Sequence, residues 1–451
     1  MAIDLRFDKG TIILRGLSET LADQLDGVQW DSRTQTHRAP AWCYREIVLT
    51  LHRKGEEYND RAKAFQPCEL TTGSKIQPRY YQAEAVEAWK EQGKRGVVVL
   101  PTGAGKTILA VLLIELTKRP TLVHVPTIDL MHQWVEVLEK SFNETIGLLG
   151  GGYHEIERLT VSTYDSALLH AVNLGNEFGL VIYDECHHLP SEQYKFSAIA
   201  NLAPFRLGLT ATPERADGRE ELMYQLLGDV CYRVHIDELE GETLAPYVVN
   251  TVEIELSETE REQYEESRAQ YTDFLHSEHI DMRNPNGWRQ FIYRSSLTPT
   301  GREAFQAYLT QKRLSQAASG KEAKIWELIQ AHRGDRMLVF TQDNAMAYQL
   351  GRQFVLPVLT HQTKLKERKA FLDAFRSGDY SVLVTSKVLN EGVDVPEANV
   401  AIVVSGSGSI REHVQRLGRI LRSRPGKQAI LYELIAKETG GVPRLINVVC
   451  D

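Results

Sequence analysis

A chain of 451 residues exceeds what one hydrophobic core holds, so on the order of two to four domains are expected. Its 42% hydrophobic and 25% charged residues are an ordinary globular balance, and no apolar run reaches the roughly 18 residues of a membrane span. A net charge of −8 excludes a basic coat, so any nucleic-acid contact must use a local track.

No charged-then-apolar leader is expected from the opening residues. Residues 1–72 read as a small α/β unit: GTIILRG as a strand, and AWCYREIVLTLHRKG as a helix with Ile47, Val48 and Leu51 on one face. From Gln77 to about Pro246, short β-branched runs alternate with helical stretches: Val97 to Leu100, Thr121 to Val125, Leu180 to Asp184, Arg206 to Thr210. That alternation predicts a parallel sheet wrapped by helices. Residues 250–320 are polar and helix-prone, with an acidic run from Glu253 to Glu266, and predict a solvated helical hairpin between domains. From about Lys321 the strand-helix alternation returns, at Met337 to Phe340, Val382 to Thr385, Val400 to Val404 and Ala429 to Leu434. The boundaries expected are therefore 1–72, 73–247, 248–320 and 321–451. The cysteines, Cys43, Cys68, Cys186, Cys231 and Cys450, are scattered without a CxxC pair. That pattern points away from structural zinc and toward a reducing cytoplasm.

Chemistry concentrates in a few segments. Pro101-Thr102-Gly103-Ala104-Gly105-Lys106-Thr107 follows the VVVL strand and precedes an apolar helix from Ile108 to Leu116. Glycines there let backbone N–H groups turn onto a β-phosphate, and the helix N-terminus adds its positive end. Lys106 would reach the β- and γ-phosphates of ATP, and the Thr107 hydroxyl would ligate Mg2+. The strict GxxxxGK[ST] form is broken, since Leu100 stands where its first glycine belongs; the other reading is a tight turn that binds nothing. Asp184-Glu185-Cys186-His187-His188 ends the strand LVIYD, at the sheet edge where ligands bind in α/β folds. Asp184 suits magnesium and Glu185 the attacking water. Alone, a DExxH string also describes a zinc-ligand fragment or a surface turn, and His188 reads as a packing histidine. Thr210-Ala211-Thr212 ends the next strand, with hydroxyls suited to relaying nucleotide state.

In the second half, Gln415, Arg419 and Arg422 of QRLGRILR fall at i, i+4 and i+7, one helix face. Such a set suits a triphosphate presented by another domain; it equally describes a basic solvated face. Asp394 in Asn390-Glu391-Gly392-Val393-Asp394 is placed to take a ribose hydroxyl.

The series of phosphate loop, DECH, TAT, VLNEGVDVP and QRLGRILR resembles the superfamily 2 helicase motifs, over roughly residues 77–434. WDSRTQTHRAPAWCYREIV, DECHHLP, FRLGLTAT, VSGSGSIREHVQRLGRILR and the helical insert are similar to XPB-like helicases. The resemblance implies two RecA-like parallel-sheet domains, a small N-terminal damage-recognition-like α/β domain and a helical thumb-like insert. It implies catalysis by Lys106, Asp184, Glu185, His187, Gln415, Arg419 and Arg422. Nucleotide contacts would come from Gln82 reading adenine, residues Thr102 to Thr107, Gly392 and Asp394, and metal contacts from Thr107 and Asp184. It places Pro126, Thr127, Thr163, Arg215, Asp217 and Thr385 against nucleic acid. The family's Arg-Glu-Asp triplet appears as Arg215-Ala216-Asp217, which breaks the carry-over of a strand-separating role there. The implied activity is ATP-driven 3′-to-5′ movement on single-stranded or distorted DNA in repair, in the cytoplasm or at the nucleoid, with a nuclease or repair-complex partner and no membrane. The rivals are an RNA helicase or restriction-type translocase subunit, and a nucleotide-gated scaffold. In the N-terminal unit, Trp30, Arg33, His37, Arg38, Trp42, Tyr44 and Arg45 read either as base-stacking and phosphate contacts or as the core of a very small domain.

Overall fold

The computed structural model describes residues 2–73, 76–215, 218–235, 237–239, 247–284, 286–386, 398–404, 429–437 and 439. Two compact units, Met1–Glu238 and Leu239–Asp451, divide the chain.

The first unit holds two sheets. The smaller runs Gln29–Asp31, Thr36–Pro40, Thr11–Arg15, Ile3–Asp8 and Tyr58–Arg61 across its width. Its strands pair antiparallel except where Ile3–Asp8 meets Tyr58–Arg61. The alternating burial of Thr11–Arg15 puts Ile12 and Leu14 inward, against Ile47 and Leu51 of the helix Tyr44–Arg53. Residues 1–72 thus own a core, but they do not stand apart. Leu202 belongs to that core, and Trp42 packs against both it and the core of the larger sheet. Hydrogen bonds fasten the join: Ala64 N–H donates to the Asn176 carbonyl (3.0 Å), and the Arg45 guanidinium donates to the Gly93 carbonyl (3.0 Å).

The larger sheet has eight strands: Val230–Arg233, Arg95–Val99, Phe205–Thr210, Leu180–Asp184, Thr121–Val125, Leu159–Thr163, Ile146–Gly150 and Tyr153–His154. All neighbours are parallel except the last pair. Continuous burial along Leu180–Asp184 and Thr121–Val125 is what a strand covered by helices on both faces requires. The strands expected from sequence are present. Ile146–Gly150 and Leu159–Thr163 were not anticipated; glycine-containing IGLLG and mixed LTVST lack a clean β-branched run.

A charged side chain is sealed under this sheet. Arg206 is buried and meets no carboxylate among the described residues; its guanidinium donates to the carbonyls of Ala198, Asn201, Ala203 and Leu226. It therefore ties the strand that ends in TAT to the turn before it and to the helix Glu220–Leu227. Four acceptors offset part of the desolvation that pushes its pKa down.

In the second unit six parallel strands run in the order Tyr247–Ile254, Ala429–Ala436, Val400–Val403, Met337–Phe340, Val382–Thr385, Val358–Leu359. The insert differs from the expected hairpin. It contains three helices, Glu258–Ser277, Gly287–Leu297 and Pro299–Gln316, around Phe274, Ile280, Phe291 and Ala304. Residues 248–254, inside the expected insert of 248–320, belong to the strand Tyr247–Ile254, which pairs in parallel with Ala429–Ala436. Their acidic neighbours disguised the β-branched VVNTV run, and the partner strand lies far along the chain. The acidic run itself has a local purpose. Ser257 and Glu260 form a reciprocal capping box, and Glu258 and Glu260 sit at the positive end of the helix.

Candidate active site

The parallel register brings five loops to one edge of the large sheet. After Arg95–Val99 comes the glycine loop; Thr210 to Thr212, Asp184 to His188, Pro126 with Thr127, and Thr163 follow in that spatial order. The acidic loop therefore stands between the glycine loop and the threonine-bearing segments.

The glycine loop turns on Gly103 (φ 87°) and Gly105 (φ 80°), which caps the helix Lys106–Thr117. Gly105 admits no side chain: a Cβ there would lie 2.6 Å from the Gln82 amide nitrogen. That amide donates to the carbonyls of Ala104 (3.3 Å) and Gly105 (3.1 Å), while its oxygen accepts from the Arg79 N–H (2.9 Å). Tyr81 adds a hydroxyl bond to the Ala104 carbonyl (2.9 Å). Gln82 is thus buried and spends both amide hydrogens on the loop, which leaves its oxygen's second lone pair for an adenine amine. The Thr102 hydroxyl is buried with no hydrogen-bond partner among the described residues, an orphan that a phosphate oxygen satisfies.

Lys106 reaches across to Glu185, Nζ to Oε1 3.4 Å, with both side chains nearly buried. Asp184 is held on both oxygens: Oδ2 accepts from the Trp134 indole N–H (2.8 Å) and Oδ1 from the Glu185 N–H (3.0 Å). Burial first, and the Glu185 charge second, pushes the Asp184 carboxyl up to about 6, against the pull of Lys106 and the indole. Glu185 occupies a left-handed conformation (φ 48°, ψ 52°), which a non-glycine residue adopts only where surrounding bonds hold it. His187 is buried, with Nδ1 3.1 Å from the Thr210 hydroxyl and 3.6 Å from Glu185 Oε2. The Thr210 hydroxyl donates to the Thr212 carbonyl (3.0 Å). Its proton being spent, Nδ1–H of His187 is the donor between them. The acidic loop and TAT are therefore joined, and Arg215 adds a guanidinium bond to the His187 carbonyl.

The threonine segments are helix caps. Thr127 Oγ1 accepts from Leu130 N–H at the start of Ile128–Phe142, and Thr163 Oγ1 from Ser166 N–H at the start of Tyr164–Leu174. Two helix N-termini thus open on the same edge, a geometry suited to phosphates. Thr385, in the second unit, is buried, and its hydroxyl donates to the Ser386 carbonyl (3.0 Å). Asp217, Gly392, Asp394, Gln415, Arg419 and Arg422 lie outside the described residues.

In the N-terminal unit the structure sorts the aromatic and basic set. Tyr44 is core, bonding Asp60 (2.6 Å), and Trp42 is packing. Arg38 pairs with Asp8 and Asp31, and Arg33 with Asp31. Trp30 remains 55% exposed, edge-on to the buried His37 at 5.0 Å between ring centres. It walls a cavity of about 460 Å³ with Leu14, Leu17, Thr34, Gln35 and His37.

Sequence reasoning missed Trp134, Tyr81 and Tyr164. The first reads as an amphipathic helix's core residue, and nothing local shows that its N–H faces an acid 50 positions away.

Comparison with known proteins bears on the family. Residues 75–215 match the family of the type III restriction enzyme res subunit, residues 320–424 the helicase conserved C-terminal domain, and residues 5–62 the xeroderma pigmentosum group B helicase damage recognition domain. The chain is 40% identical over 435 residues to the DNA 3′-5′ translocase XPB2 of Sulfurisphaera tokodaii, covering 96% of this chain and 97% of that one. It is 32% identical over 375 residues to the DNA 3′-5′ helicase XPB of Kineococcus radiotolerans, covering 80% and 60% respectively. In fold it is similar to the Pyrococcus furiosus Hef helicase domain, with a TM-score of 0.51, 20% identity, and coverage of 81% and 97%. The chain belongs to the XPB family of helicases, with two RecA-like domains behind a damage recognition domain.

Proposed function

We propose that this protein hydrolyses ATP at the Lys106–Asp184–Glu185 site and uses it to move 3′-to-5′ along DNA. The observation that supports this most directly is the Lys106–Glu185 pair, 3.4 Å apart beneath a glycine loop with an orphaned Thr102 hydroxyl. Without nucleotide each charge satisfies the other. An arriving triphosphate competes for Lys106, and Glu185 is then released to orient the attacking water. Thr107 and Asp184 would hold Mg2+, which supplies charge neutralisation on the phosphates. His187 and Thr210 carry the state of Glu185 into the TAT segment. Gln415, Arg419 and Arg422 complete the reading as the arginine-bearing set, supported by their one-face spacing.

The nucleic acid meets the caps at Thr127 and Thr163 through phosphates, with no sequence information in the contact. Pro126 and Arg215 extend this track. Trp30 stacks on an unpaired base of distorted DNA, a reading supported by its exposure and by the match of residues 5–62 to a damage recognition domain. A nuclease or repair-complex partner belongs to the same proposal.

The test is turnover. Lys106→Ala should lower DNA-stimulated ATP hydrolysis by about a hundredfold or more, since no other cation of the loop can meet those phosphates. Glu185→Gln should leave ATP binding within a few-fold of wild type and stall hydrolysis. Turnover near wild type in Lys106→Ala, or joint loss of binding and hydrolysis in Glu185→Gln, contradicts the assignment. RNA in place of DNA should stimulate poorly.

A further inference from the structure

The peptide between Asp184 and Glu185 is gripped at both ends. Its N–H donates to Asp184 Oδ1 (3.0 Å), and its carbonyl oxygen accepts from the Tyr164 hydroxyl (3.0 Å). Turning this peptide turns Glu185, whose left-handed backbone already depends on its surroundings. Tyr164 is the first residue of the helix Tyr164–Leu174, directly after its cap, Thr163.

Its ring has no freedom of its own. It is buried, with the rings of Tyr194, Tyr183, His188 and His124 at centroid distances of 5.2, 6.1, 6.1 and 6.2 Å. A helix N-terminus that shifts to meet a phosphate therefore carries the Tyr164 hydroxyl with it, and a close-packed interior transmits such a shift. We infer that Tyr164 is a positioning residue through which a DNA strand held at the Thr163 cap sets the peptide that carries Glu185. This rests on the reading of Thr163 as a strand contact. It gives DNA stimulation a physical route that is separate from the His187–Thr210 bond.

A buried tyrosine also needs some partner for its hydroxyl, so the test must separate coupling from packing. Tyr164→Phe keeps the ring and removes one bond. Steady-state ATP hydrolysis would be measured without DNA and across a single-strand titration at fixed salt, beside thermal melts. Expected are an ATP KM within twofold of wild type, an unchanged DNA concentration for half-maximal stimulation, and a stimulation ratio lower by about tenfold, whatever the basal rate. Tyr194→Phe, whose ring packs on Tyr164 but whose hydroxyl bonds Asp165 (2.8 Å), serves as the packing control and should keep the full ratio. An unchanged ratio in Tyr164→Phe, equal loss of basal and stimulated rates, or equal loss in the Tyr194 variant overturns the inference. If DNA does not stimulate the wild type, the strand-contact reading itself falls.

Discussion

Lys321 is fully buried, yet its ammonium has three acceptors: the carbonyls of Ser315 (2.9 Å), Gln316 (3.1 Å) and Val404 (2.8 Å). Two of these end the last helix of the insert and the third ends a sheet strand, so one side chain joins the insert's exit to the sheet. Burial holds its pKa down to about 8, from 10.5. The sign follows from proton counting. Between those values the unfolded chain binds the proton and the folded one does not, so stability rises with pH across that window. The cost of the buried ammonium is fully present below pH 8 and relieved above it, by about 3 kcal/mol at most. Lys321→Met removes the titration. The difference in Tm between the variant and wild type should therefore shift in favour of wild type from pH 8 to 10.5. Parallel melting curves across that range would show that the three carbonyls alone keep the ammonium at its ordinary pKa.

At the scale of elements, the N-terminal unit behaves as part of the first sheet domain. Leu202 sits in its core, Trp42 bridges two cores, and the Asn176 side chain donates to the Ala62 carbonyl (2.9 Å). Deleting residues 1–72 would expose that apolar seam, so truncation should lower Tm and promote aggregation, whatever the unit's role on DNA. A point change is the cleaner probe. Trp30→Ala leaves the core intact and removes an exposed indole, and base stacking contributes about 1–3 kcal/mol per base. Preference for bubbled over intact duplex should therefore fall by roughly tenfold, while single-strand-stimulated ATPase stays near wild type. Equal discrimination by variant and wild type would make the unit a packing or partner-docking element. Salt must be fixed, because phosphate contacts dominate the remaining affinity.

The whole molecule consists of two units, and each carries its own parallel sheet. The first contains the glycine loop, both acids and the capping threonines. The proposed arginines, Arg419 and Arg422, belong to the second. A fragment ending at residue 246 should then bind nucleotide weakly and turn it over at least about 10³-fold more slowly than the full chain. Arg419→Ala and Arg422→Ala should each approach that loss with smaller effects on nucleotide affinity. Full activity in the fragment would reduce those arginines to a solvated face. Among the described residues, no helix is long and apolar enough to cross a membrane.

What could be read in the sequence was chemistry whose requirements are local. A loop that wraps phosphate needs glycines between a strand and a helix, and an acidic pair ending a buried strand needs only its neighbours to be recognised. The loops that carry Lys106, Asp184 and Glu185 could therefore be located, and their strands fell where the β-branched runs placed them. What only the tertiary structure decided was partnership across the sheet. The indole on Asp184, the Tyr164 hydroxyl on its carbonyl, the Leu226 carbonyl on Arg206 and the Val404 carbonyl on Lys321 all join residues brought together by crossovers and register. Periodicity encodes which face of an element is buried, and it carries nothing about which atom lies opposite. For the same reason residues 248–254 read as insert in the sequence, and only the pairing of Tyr247–Ile254 with Ala429–Ala436 puts them in a sheet.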